Sequence, residues 1–135
     1  MKKYLLIIAI TFLIIFGCED DPVKPENNQP IIKSLTAFPN VIGLQDSVII
    51  ICNAYDPDSD TLVYDWRTDG RARIKDGQAD GYFLYHTFEN SRIVYPRESL
   101  TPPDTCWVKC FARDVKGGQV ASLVTFIVLP DSTFE

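Results

Sequence analysis

The sequence is poor in the residues that do chemistry. It contains one histidine, His86, in 135 residues, and no cluster of His and Cys at metal-ligand spacing. A nucleophile elbow and a glycine-rich phosphate loop are also missing. Carboxylates are plentiful, but nothing in their spacing selects a catalytic pair, so the chain reads as a non-enzyme. No segment carries a helical period of apolar residues, which argues against a helical bundle. The longest apolar run, Tyr4 to Phe16, has 13 residues. A membrane-spanning helix needs roughly 20.

That run is nonetheless informative. Lys2 and Lys3 precede it and Gly17-Cys18 follows it, the grammar of a signal peptide. A short uncleaved anchor is the alternative; a core helix is a poor one, because Thr11 alone does not give the run a polar second face. Ile15-Phe16-Gly17-Cys18 resembles the bacterial lipobox, with Phe16 standing where that motif usually has a small residue. The resemblance implies that residues 1–17 are removed and that Cys18 becomes the lipidated first residue of the mature chain. Each buried CH₂ of an acyl chain contributes about 0.8 kcal/mol, so a multiply acylated cysteine anchors stably.

Loss of residues 1–17 would leave 11 basic and 18 acidic side chains, a net charge of −7. Such a domain repels nucleic acid and anionic lipid. Export also places the cysteines where disulfides persist. Residues 18–30 are expected to form the lipidated cysteine and a flexible tether: Glu19 to Pro30 is polar, with three prolines and no apolar pattern. Extended at about 3.1 Å per residue, the tether would reach roughly 35–40 Å. The acids behind Cys18 also resemble a surface-export signal of some Gram-negative groups such as Bacteroidetes, although simple solvation of a linker accounts for them as well. The expected location is the cell envelope, at the outer membrane, facing either the periplasm or the surface.

From Ile31 to about residue 130 the pattern is all β. Strands are expected at Ile31 to Phe38, Ser47 to Tyr55, Leu62 to Thr68, Tyr82 to Phe88, Ser91 to Tyr95, Thr105 to Arg113 and Gln119 to Leu129, with a brief one near Ala72 to Ile74. Asp69-Gly70, Asp76-Gly77 and Asp80-Gly81 are strong turn signals, since glycine accepts positive φ without cost. About seven strands with turns every 8–12 residues is the signature of an antiparallel β-sandwich. In the third of these segments Leu62, Tyr64 and Trp66 share one face.

The wording of two segments goes further. Ala54-Tyr55-Asp56-Pro57-Asp58-Ser59-Asp60-Thr61-Leu62-Val63-Tyr64-Asp65-Trp66, with Ala112-Arg113-Asp114-Val115-Lys116-Gly117-Gly118 later, resembles the PKD-like and cadherin-like Ig modules of bacterial surface proteins. Ser59 stands where those modules usually have glycine. The resemblance implies a cysteine, tryptophan and cysteine on strands B, C and F of an Ig-like sandwich: Cys52, Trp66 and Cys110. Alternation supports the pairing, putting Ile50, Cys52 and Ala54 on one face and Val108, Cys110 and Ala112 on one face of the other strand. A Cys52–Cys110 disulfide would stabilise by about 4 kcal/mol; two buried thiols are the alternative. Cys106 shares a face with Cys110 but lies about 13 Å along the strand, so it is expected to be a buried small residue or, more rarely, an intermolecular link.

Asp56, Asp58 and Asp60 alternate, and their carboxylates could converge on a hard cation such as Ca²⁺, with Asp114 as a further ligand. The spacing is not that of an EF-hand, whose sixth and twelfth positions are here Thr61 and Arg67. The competing explanation is an Asx-rich turn whose carboxylates accept backbone N–H bonds. Arg67, Arg71, Arg73 and Lys75 are expected in a solvated loop. In the aromatic stretch Tyr82 to Phe88 one face must feed the core, and the other offers Tyr82 and His86 as a candidate ligand face. The expected function is therefore non-catalytic: an envelope lipoprotein held to the membrane by its lipid, binding an envelope or surface protein in adhesion or assembly. A carbohydrate-binding module and a Ca²⁺-stabilised spacer are the alternatives; nucleic acid is not an expected partner.

Intact-mass spectrometry of protein extracted from membranes should show a chain starting at Cys18 and carrying acyl mass; an unmodified Met1 start would refute the anchor.

Overall fold

The computed structural model describes residues 25–75 and 85–131. Nine strands follow in chain order: β1 (Ile31–Phe38), β2 (Val41–Gly43), β3 (Val48–Tyr55), β4 (Leu62–Thr68), β5 (Ala72–Ile74), β6 (Tyr85–Thr87), β7 (Ser91–Pro96), β8 (Asp104–Asp114) and β9 (Gln119–Leu129). They form two sheets, a four-stranded one in the order β1-β3-β7-β5 and a five-stranded one in the order β2-β9-β8-β4-β6. All pairings are antiparallel except that of β2, which runs parallel to β9 through Val41↔Ile127, Ile42↔Val128 and Gly43↔Leu129. The expected β-sandwich is present, with one strand, β2, that the sequence reading did not include.

Alternation on the strands builds the core. Val48, Ile50 and Cys52 of β3, Tyr64 and Trp66 of β4, Cys106, Val108, Cys110 and Ala112 of β8, and Phe126 and Val128 of β9 all point inward and are buried. Apolar burial contributes about 25 cal/mol per Å². Trp66 sits fully buried beside Cys110 in the β4–β8 ladder, and its ring stacks on Tyr64 with centroids 6.4 Å apart.

Cys52 and Cys110 come from opposite sheets and meet as the Ig-like resemblance implies, but as thiols, not as a bond. The Cys110 thiol donates to the Cys52 sulfur, which together with burial pushes Cys110 well above the ordinary thiol range. Cys106 is buried too, and burial pushes its thiol up to about 12, so it stays protonated and unreactive.

Two sequence expectations change. The stretch between the first two expected strands, given no strand of its own, contains β2. The basic residues are not one solvated loop: Arg67 lies in β4 and Arg73 in β5. Arg71 and Lys75 lie outside the strands, and Arg71 bridges Asp69 at 3.1 Å and Asp104 at 2.8 Å. Strand β6 covers Tyr85–Thr87 of the expected Tyr82 to Phe88; residue 82, like the Asp-Gly pairs at 76 and 80, lies outside the described residues, as does Cys18.

Non-reducing peptide mapping should return Cys52, Cys106 and Cys110 as free thiols, as the structure has them; a Cys52–Cys110 link would show that the two facing thiols oxidise. A Cys52–Cys106 link would contradict the observed register.

Candidate functional site

Three surfaces concentrate the chemistry of the described residues. The first is the acidic corner where the β3–β4 and β8–β9 turns meet. Asp56 is buried, and its Oδ1 accepts the backbone N–H groups of Asp58 (2.8 Å) and Asp60 (3.2 Å). Ser59 has φ +62°, the left-handed conformation that favours glycine, which accounts for glycine in the related motif. Asp114 plays the same part in the second turn: its Oδ1 accepts from Lys116 N (2.7 Å) and Gly118 N (2.8 Å). The Asx-turn explanation therefore describes how both acids are used.

The chain leading into β1 is drawn onto this corner. Asn27 Nδ2 donates to Asp114 Oδ2 at 2.9 Å, and Asn28 donates from N and Nδ2 to the Asp58 carboxylate at 2.7 and 2.8 Å. Pro30 is buried. The sandwich thus takes hold of the chain at Asn27, inside the stretch expected to be tether. Gly118 makes this possible, since a Cβ there would meet Asp114 Oδ2 at 2.2 Å and Pro30 and Asn27 at 3.1 and 3.2 Å.

Asp56, Asp58 and Asp60 do converge, with one carboxylate oxygen from each lying within 4.8 Å of the others. This donor set suits a hard divalent cation. It already faces a cation of the chain itself: Lys116 Nζ lies 2.9 Å from Asp60 Oδ2. The hydrogen bond to Asp60 raises the Lys116 ammonium above its usual range, with Asp58 and Asp56 adding to the effect. Asp114 is not one of the converging group; its oxygens are taken by the turn and by Asn27.

The second surface is the outward face of the five-stranded sheet. His86 of β6 pairs with Asp65 of β4, and its Nδ1 lies 2.7 Å from Asp65 Oδ1. Because a carboxylate only accepts, Nδ1 donates the proton of this contact. Arg113 of β8 forms an ion pair with the other Asp65 oxygen. Asp65 is 1% exposed although it points away from the core, because these two side chains cover it. Further along the same face of β8 stand Trp107, Lys109 and Phe111, all half-buried. Sequence reasoning named His86 but missed Asp65, Trp107 and Phe111. The signal was present: alternation that places Trp66 and Cys110 inward necessarily places Asp65 and Trp107 outward.

The third surface is the outward face of the four-stranded sheet, where Phe38, Ile49 and Ile93 are direct neighbours across β1, β3 and β7. Phe38 is 76% exposed and Ile49 44%. Ile51 extends the strip along β3, and beside it Ile49, Ile93, Ser91, Lys75, Glu89 and Arg92 line an open depression of about 260 Å³.

Among solved structures, the first PKD domain of Vibrio anguillarum Epp superposes over 78% of this chain and 99% of its own, with a TM-score of 0.51 at 22% identity. The domain is a PKD-like β-sandwich. A structure described as carbohydrate-binding modules of the β-sandwich superfamily matches 79% of this PKD-like chain and 37% of its own, with a TM-score of 0.56 and 22% identity. No family model matches the sequence, and no curated protein matches it. At these identities the likeness is one of fold.

Hydrogen bonds from Asn28 hold the Asp58 carboxyl below its usual 3.8. Burial pushes Asp114 upward, but Asn27 and the turn N–H groups outweigh it, and its carboxyl is lowered as well. Groups with depressed folded values stabilise above the unfolded value, and that contribution is lost as pH falls through the folded value. Thermal stability should therefore fall as pH drops below about 4. The double variant Asn27→Ala, Asn28→Ala should shrink this acid dependence. Gly118→Ala should destabilise at neutral pH by about 1–3 kcal/mol through overpacking, measured by urea unfolding.

Proposed function

We propose that this chain is an envelope lipoprotein, anchored through Cys18, that uses its PKD-like sandwich as a non-catalytic protein-interaction module in adhesion or assembly. The observation that carries the reading is the apolar strip Phe38–Ile49–Ile93 on the four-stranded sheet. Exposed apolar surface rimmed by polar groups marks protein-interaction sites, and here the rim is polar and charged: Thr36, Ser91, Lys75 and the Arg92–Glu89 ion pair. Exposing Phe38 in this way does nothing for the core, since it packs outside it. The occupant is an envelope protein with a complementary apolar surface, met side-on by a domain tethered to the membrane.

A Ca²⁺-stabilised spacer is the second reading, favoured by the converging carboxylates of Asp56, Asp58 and Asp60. In it, Ca²⁺ would displace the Lys116 ammonium from Asp60.

Chemical crosslinking on intact cells should capture one or a few envelope proteins with the wild-type chain. Phe38→Ser with Ile49→Thr should abolish capture while shifting stability by no more than about 0.5–1 kcal/mol, the range of surface substitutions. Undiminished capture by the double variant would refute the assignment of this face. For the spacer reading, the melting temperature should rise with Ca²⁺ and fall with EDTA; no response to either would dismiss it.

A further inference from the structure

The two outward faces differ in chemistry, and the protein-interaction strip leaves the five-stranded face unexplained. The whole chain has a net charge of −5, yet this face presents three permanent cations: Arg67 of β4 and Lys109 and Arg113 of β8. Among the described residues the carboxylate on this face is Asp65, which is 1% exposed and lies beneath His86 and Arg113, and Arg67 is engaged in interactions of its own. The other acids nearby, Asp69 and Asp104, stand at the Trp107 end of the face, where Asp69 Oδ2 accepts the Trp107 backbone N–H at 3.1 Å, and both are paired with Arg71.

Aromatic groups are interleaved with these cations. Trp107 and Phe111 leave β8 on the same side, four residues and so about 13 Å apart. Lys109 stands between them, its Nζ 4.8 Å from the centre of the Phe111 ring. The Trp107 position is flanked by Thr125 directly opposite on β9, and Ala121 lies opposite Phe111, so neither aromatic is walled in by a large neighbour on that side. The order along the strand is ring, ammonium, ring, guanidinium.

We propose that this face is a binding site for an acidic polysaccharide, one whose sugar rings carry carboxylates. Sugar rings would lie on Trp107 and Phe111 through their C–H faces, while Lys109 and Arg113 meet the carboxylates. The Thr125 hydroxyl would serve the sugar hydroxyls beside Trp107. An acidic peptide fits less well. Extended peptides are recognised mainly through main-chain bonds at a sheet edge, and β8 is an interior strand, bonded to β4 on one side and β9 on the other. Charge complementarity together with spaced rings favours a ligand that is itself a row of rings and charges.

The test is retention of the full-length chain, in detergent micelles, on immobilised polygalacturonate. Its methyl-esterified form, with the same rings and capped carboxylates, and poly-glutamate, with carboxylates and no rings, are the comparisons. The wild-type chain should be held by polygalacturonate and much less by either of the others. Trp107→Ala should weaken retention about tenfold, the size of a lost stacking contact. Lys109→Gln should weaken it about fivefold, as loss of an exposed charge pair does, and should leave the weaker binding to the ester unchanged. Absence of retention, equal retention by the ester or by poly-glutamate, or equal retention of Trp107→Ala would each overturn the proposal. Trp107→Ala should leave crosslinking at the Phe38 strip intact and Phe38→Ser should leave retention intact, so the two readings stand or fall separately.

Discussion

The alternation of β8 is the constraint on which most of this domain depends. It is an eleven-residue strand, paired on both sides, so each of its side chains has only two directions to take. Cys106, Val108, Cys110 and Ala112 go inward and make one wall of the core; Trp107, Lys109, Phe111 and Arg113 go outward. A slip of one residue would bury two cations and two aromatics and expose both cysteines, so burial and function specify the same register. The turn that follows reinforces it. Asp114 N donates to Gly118 O at 3.0 Å, and Gly117, at φ +103°, supplies the conformation that closes the hairpin onto β9.

Much of the fold was legible because it is written in that period. Strands β4 and β9 begin and end where alternation and turn residues placed them, at Leu62–Thr68 and Gln119–Leu129. Cys52 and Cys110 could be set facing each other because the Ig-like resemblance puts them on facing strands and alternation turns both inward. Strand β2 was not legible, because three residues carry no period and its parallel partner lies over 80 residues away. Pro96, taken as a strand end, is inside β7 opposite Ala72. There β7 adjoins only the three-residue strand β5, where the missing N–H of a proline is least costly. The candidate site was half-visible for a similar reason. His86 stood out as the only histidine, but its partners Asp65 and Arg113 are brought to it by pairings that no local pattern reports.

The acidic corner shows how one residue type can satisfy competing demands. Asp56 and Asp114 replace backbone acceptors in two turns, and Asp58 fastens the incoming chain through Asn28. Gathering these carboxylates raises the local negative potential, which Lys116 offsets from within the chain. A cation site and a self-neutralised corner would therefore use the same residues, and a metal ion would have to compete with the ammonium for the same oxygens. The stretch from Asp56 to Asp60 is first of all a structural corner, whatever ion it also meets.

The position of that corner bears on both proposed faces. The chain enters β1 there, held by Asn27 and Asn28, so under the proposed anchor at Cys18 this end of the sandwich faces the membrane. The strands then run away from the bilayer, and the β2–β3 and β7–β8 connections lie at the far end. In that orientation both sheet faces are turned sideways, and neither is screened by the lipid surface. One face is an apolar strip and the other a row of rings and cations, so a protein and a polysaccharide would not compete for space. Only about eight residues separate Cys18 from Asn27, and extended at about 3.1 Å each they reach roughly 25 Å. The domain would be held close to the membrane while both faces remained open to polymers lying along it.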